Sequence, residues 1–234
     1  MVRIERKDSA ASKLAIRSLE KEKVKANGKY NTDAVVTALR ETFHGKCYLC
    51  EGKESYEWEV EHLIPHAGDR ELKFDWDNLF WACGHCNHIK GIGYSPILNC
   101  TKTDVDEIIS FRKIGYFGLE ETLSFEMVDK ACDSQEVQNT CHLLKRIYYG
   151  KTAQEKAGAK IIRHQIRTEL TEFKNYVRDY CEANGEDKQD LFLLIRSKLK
   201  SNAKFAAFKR WIVRDNQNCR DFIDCWKDKT EDSP

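Results

Sequence analysis

Cys47-Tyr48-Leu49-Cys50 and Cys83-Gly84-His85-Cys86 are two Cys-x-x-Cys pairs with residues 51–82 between them. Each pair can present two thiolates from one tight turn, and two such turns close a tetrahedral cage with Zn–S distances of about 2.3 Å. The spacing therefore predicts a structural zinc site. Four thiolates leave no open position for water, so that zinc can hold two loops together but cannot activate a nucleophile. A redox-active pair, or coincidence among the ten cysteines of the chain, is the alternative. The other six (Cys100, Cys132, Cys141, Cys181, Cys219 and Cys225) form no further such pair and read as buried thiols.

Between the pairs, Trp58 to His62 and Asp77 to Ala82 are strand-like runs around a loop with Pro65, Gly68 and Asp69. Gly84 to Ile89 then has room for one or two helical turns. Upstream, Ser12 to Lys25 and Thr32 to Phe43 carry apolar residues at helical spacing, with Asn31-Thr32-Asp33 as capping residues and Gly45 as a stop. Downstream there is no proline from 97 to 233, and Ile162, Ile166, Leu170, Phe173, Val177 and Tyr180 recur every three or four residues. Further helices are expected over Gln135–Tyr148, Lys188–Lys200, Lys204–Val213 and Cys219–Trp226. Ile108–Phe117 and Thr122–Met127 suit strand or helix equally. The reading is an α+β chain in three parts: N-terminal helices over 1–43, a small zinc-stapled core over 44–95, and a mainly helical region over 96–234 for partner or DNA interaction.

Composition narrows the class. The 234 residues hold 39 Lys and Arg against 38 Asp and Glu, a formal net charge of +1, with a mean hydropathy of −0.64. Apolar runs such as Leu191 to Ile195 fall far short of the ~20 residues of a membrane span. The charged start, Met1 to Lys7, lacks the apolar segment of a secretory signal. A soluble cytoplasmic protein with reduced thiols is expected. Its charge makes no global case for nucleic-acid binding, although residues 1–46 hold 11 Lys and Arg against 6 Asp and Glu.

Glu61-His62-Leu63-Ile64-Pro65-His66, then Asn78-Leu79, then Cys83-x-x-Cys86-Asn87-x-x-Lys90-Gly91 resembles the HNH endonucleases with their ββα-metal fold, over residues 44–92. The resemblance implies that His62 is the general base, that Asn78 orients it through its backbone or amide, and that Glu61 and Asn87 bind a catalytic divalent metal. Many members have Asp or His in place of Glu61 and His in place of Asn87. The oxygens offered here suit Mg²⁺ or Mn²⁺. His66 and Lys90 are candidates for contacting the substrate phosphate. Each residue also has a plainer reading: His62 as a satisfied core histidine, Asn78 and Asn87 as turn or cap residues, His66 as an exposed loop residue, Lys90 as part of a solvated helix face. Trp58, Phe80 and Trp81 read as packing. Glu61 and His62 would point to opposite faces of a regular strand, so joint action on one phosphate requires that the strand end or bulge there.

Residues 196–214 interleave Arg196, Lys198, Lys200, Lys204, Lys209, Arg210 and Arg214 with aromatics, which suits a phosphate backbone, an acidic partner or the outer face of an amphipathic helix. In length and order the chain is similar to the nuclease subunits of Septu-type anti-phage systems. That resemblance implies DNA cleavage within an oligomeric complex containing a PtuA-like ABC-type ATPase. A stand-alone restriction or recombination nuclease and a non-catalytic zinc-stapled adaptor are the competing readings.

Overall fold

The computed structural model describes residues 1–115 and 121–227. Trp58–His62 (β1) and Leu79–Cys83 (β2) pair antiparallel, with Glu61 opposite Phe80 and His62 opposite Leu79. Cys83, the last residue of β2, is also the N-cap of α4 (Gly84–Lys90), so strand and helix join without a loop. All five residues of β2 are buried, because α2 covers it as well as α4. Its near-continuous apolar run reflects that double cover.

The N-terminal helices are α1 (Ala10–Lys23), closed by a Ser9–Ser12 capping box, and α2 (Asp33–Thr42). Thr32 precedes α2 without capping it; its hydroxyl pairs with that of Ser18 at 2.8 Å and ties the two helices together. Between β1 and β2 the chain makes α3 (Arg70–Lys73), capped by the Asp69 carboxylate, and a 3-10 turn at Trp76–Asn78.

After α5 (Val105–Ile108), the two ambiguous runs prove to be strands, β3 (Ile109–Ile114) and β4 (Thr122–Met127), in a second hairpin. Phe111 opposes Phe125 with ring centroids 5.4 Å apart, and both meet Phe208, so one face of the hairpin is a packed aromatic surface. Tyr116 and Phe117 lie outside the described residues. The helical remainder is α6 (Gln135–Tyr149), α7 (Ala153–Glu182), α8 (Gly185–Leu199) and α9 (Ala206–Asp215). The expected helix at 219–226 is instead a 3-10 turn over Gln217–Phe222, with buried Cys219 and Phe222 three residues apart, as that tighter period requires.

One cluster of buried apolar side chains takes residues from Met1 through the zinc-staple region to Trp211, and a smaller one joins α7, α8, α9 and Phe222. Three cations of the basic run at 196–214 turn inward, and a fourth pairs at the surface. Lys209 is fully buried against Glu169, Arg210 and Arg214 both reach the buried Asp106 carboxylate, and Lys204 pairs with Glu54. Of the six cysteines expected to be buried, Cys100 and Cys219 are; Cys132 and Cys181 are exposed, on a surface turn and in the last turn of α7, and Cys141 and Cys225 are half-buried. Among the described residues no helix is long and apolar enough to cross a membrane.

Candidate active site

The sulfurs of Cys47, Cys50, Cys83 and Cys86 all lie within 4.8 Å of one another, buried and outside any disulfide. Cys50 and Cys83 are 3.9 Å apart, close to the sulfur separation that a tetrahedron with bonds of about 2.3 Å requires. The cluster fits zinc. It clamps the turn before β1 to the β2–α4 junction, and so fixes the angle at which α4 crosses the hairpin.

β1 stays regular through its last two residues, and Glu61 and His62 therefore face apart. Glu59 and Glu61 turn toward α4. The Asn87 amide donates to a Glu59 carboxylate oxygen, while the Lys90 ammonium lies 2.5 Å from Glu61 Oε1 and donates to the His62 carbonyl at 2.9 Å. Tyr48, inside the first cysteine turn, donates its hydroxyl to Glu61 Oε2 at 2.7 Å. Both Glu61 oxygens are thus engaged and the side chain is 4% exposed. Burial raises its pKa to about 7, with Lys90 and Tyr48 opposing.

These contacts bear on two expectations. Glu61 and Asn87 do not converge on a cation: an ammonium already sits against Glu61, and Asn87 is committed to Glu59. As arranged, the pair does not fit Mg²⁺ or Mn²⁺. Lys90 is 1% exposed and ties α4 to β1, so it is not part of a solvated helix face, and as arranged its ammonium is engaged by Glu61 rather than open to a phosphate.

His62 faces the other way, into the β1–α3 loop. Its Nε2 lies 3.0 Å from the Lys73 carbonyl oxygen, and its ring meets Tyr30 edge-on at 4.5 Å and His66 at 4.8 Å. Burial holds the His62 pKa below the ordinary histidine value, against the hydrogen bond to Lys73. Asn78 makes no hydrogen bond to the His62 ring among the described residues. Its Oδ1 accepts from Ile64 N at 2.8 Å, and its Nδ2 donates to the carbonyls of Ile64 and Leu72 at 2.9 and 3.0 Å. One buried amide thus pins both arms of the loop around His62. His66 stands at the rim with its Nδ1 accepting from Gly68 N. Of the remaining histidines near the core, His85 is bonded to the Ile147 carbonyl and His88 is exposed.

Tyr30, Tyr48 and Glu59 had gone unnoticed in the sequence. Glu59 had a signal, its i, i+2 relation to Glu61 on a strand; Tyr30, in the α1–α2 connection, had none.

Residues 47–92 match the family model of HNH endonucleases. The chain is 36% identical over 81 residues to the Septu protein PtuB of Bacillus thuringiensis, covering 32% of each chain. It is 33% identical over 86 residues to the Septu protein PtuB of Bacillus mycoides, covering 30% of this chain and 29% of that one. The matched stretch is thus about a third of the length of these curated relatives. No solved structure matches. A cysteine cage that fits zinc, a β-hairpin feeding directly into a helix and a loop-held histidine at the end of β1 occupy the stretch matched by the family model: residues 47–92 are an HNH endonuclease domain, set in a chain similar to PtuB.

Proposed function

We propose that the chain is an endonuclease that hydrolyses DNA phosphodiester bonds, with His62 as general base. The observation that carries this reading is the His62 imidazole, held low in pKa by burial and anchored at one nitrogen, with His66 at the same rim. A neutral imidazole takes a proton from water; the hydroxide attacks phosphorus, the bond to the leaving 3′ oxygen breaks, and that oxygen takes a proton from solvent. Asn78 keeps the loop, and with it His62, in place. Mg²⁺ or Mn²⁺ remains the proposed activating ion on the strength of the resemblance. No step is assigned to it, because Lys90 must leave Glu61 before a metal can enter there.

His62→Ala is expected to abolish plasmid nicking in the presence of Mg²⁺ while keeping about one zinc per chain. Undiminished cutting by that variant refutes the mechanism; a zinc-loaded wild-type chain that does not cut favours the adaptor reading. The similarity to PtuB supports a place in a Septu-type defence complex in the cytoplasm, with an ABC-type ATPase as partner. The partner would supply DNA engagement that a net charge of +1, with Lys209, Arg210 and Arg214 turned inward, does not. Purification of the tagged chain from its native host should bring down the ATPase; a solitary chain there favours a stand-alone nuclease.

A further inference from the structure

The short helix α3 ends at Lys73, and the last carbonyls of a helix have no partners within it. Here the active-site residues supply them. The Asn78 amide takes the Leu72 carbonyl, and His62 Nε2 takes the next one, that of Lys73. A carbonyl oxygen only accepts, so the proton of the neutral imidazole resides on Nε2 and the lone pair on Nδ1. His62 Nδ1 has no hydrogen-bond partner among the described residues.

The position of that carbonyl depends on a segment outside the matched domain. The connection between α1 and α2 clasps α3 at several points. Arg70 Nη2 donates to the carbonyls of Lys23 and Lys25, the latter at 2.7 Å, and Lys23 pairs with Glu71. Lys73 Nζ donates to the Gly28 carbonyl at 3.2 Å and lies over the rings of Tyr30 and Phe74 at 6.0 and 5.1 Å. The same connection ends in Tyr30, whose ring stands 4.5 Å from the His62 ring at 69° and 6.4 Å from that of His66. Gly28 makes the clasp possible, since a Cβ there would lie 1.9 Å from the Glu22 carbonyl oxygen and 3.1 Å from the Phe74 ring.

We infer that the α1–α2 connection is a wall of the catalytic pocket: Tyr30, packed edge-on against the His62 ring, and the clasp that places the Lys73 carbonyl hold that ring in one orientation toward the substrate. The inference rests on the reading of His62 as general base. Tyr30 is a positioning residue, acting through the ring it packs against. Its hydroxyl has no hydrogen-bond partner among the described residues, so the ring alone performs this task.

The test uses the full zinc-loaded chain. Long-range proton–nitrogen NMR correlations of the imidazoles, assigned with His62→Gln, should show Nε2 protonated in neutral His62. Tyr30→Phe, which keeps the ring, should keep that pattern. Tyr30→Ala should average the two tautomers and lower kcat about 10–100-fold with KM for DNA little changed, and Gly28→Ala should do the same. Tyr30→Ala with a wild-type spectrum and kcat overturns the inference. Should Tyr30→Ala lose its zinc, Tyr30→Leu decides by the same two readouts. The spectra need no cutting assay, so failure here is separate from failure of the general-base reading, which undiminished cutting by His62→Ala reveals.

Discussion

The Lys90 ammonium and the Glu61 carboxylate form a buried ion pair, 2.5 Å apart, that joins the last turn of α4 to the end of β1. Removing one partner of such a pair leaves an uncompensated charge, at a cost of about 3–5 kcal/mol. Lys90→Met is therefore expected to destabilise the chain by that order in urea denaturation at mildly alkaline pH. Glu61 already has a raised pKa, of about 7, and without Lys90 it rises further. A raised carboxyl pKa favours the folded state at low pH and loses that advantage as pH rises through it. The deficit of Lys90→Met should accordingly shrink as pH falls below 7, and Lys90→Met with Glu61→Gln should recover part of it at alkaline pH, where the unpaired carboxylate is charged.

Asn78→Ala removes three hydrogen bonds to the His62 loop, among them the acceptor of the Ile64 N–H. Cutting is expected to fall about a hundredfold through misplacement of His62, with zinc content unchanged. Metal analysis beside a nicking assay separates that outcome from general unfolding.

Glu51 is fully buried and still has a pKa of about 2. Burial pushes it up, but Lys46, the Met1 amino group and the backbone N–H groups of Ala207 and Val2 hold the charged form. Because the folded pKa lies below the ordinary 4.5, this stabilisation is complete above pH 4.5 and is lost as pH falls toward 2. Glu51→Gln is expected to cost about 3 kcal/mol at neutral pH. Its stability curve should converge on that of the wild type in acid, as measured by denaturant titration across pH.

Arg214 donates to the Asp106 carboxylate at 2.9 Å and to its backbone carbonyl at 2.8 Å. Arg214→Ala is expected to lower stability by about 2 kcal/mol while leaving DNA retention in a gel-shift assay unchanged. A loss of DNA binding at wild-type stability would return this run to the role of a phosphate-binding surface.

Much of the domain was legible from short-range spacing. Cys-x-x-Cys turns need only local chain geometry to present two sulfurs, and the strand runs flanking Pro65 and Gly68 declare a hairpin by alternation and turn residues. The helix over Ile162 to Tyr180 is long enough for its period to be unambiguous. Six-residue runs such as 109–114 carry too few repeats to separate strand from helix, and only the packing of Phe111 and Phe125 against Phe208 decided them.

Side-chain partnership was another matter. Motif order placed His62, Asn78 and Asn87 near one another, yet the direction each side chain takes depends on the register of β1 and the tilt of α4. A regular ladder turns Glu61 toward Lys90 and His62 toward Tyr30, and no local signal separates that outcome from a bulged strand with both on one face. Basic residues at helical spacing likewise read the same whether they face water or a buried carboxylate; Asp106, about a hundred positions from Arg210 and Arg214, turned them inward. The sequence by itself determined the four-cysteine cage and the ββα order, because both follow from contacts between near neighbours. The tertiary structure alone decided which charges pair and what surrounds His62, because those depend on the three-dimensional meeting of distant segments.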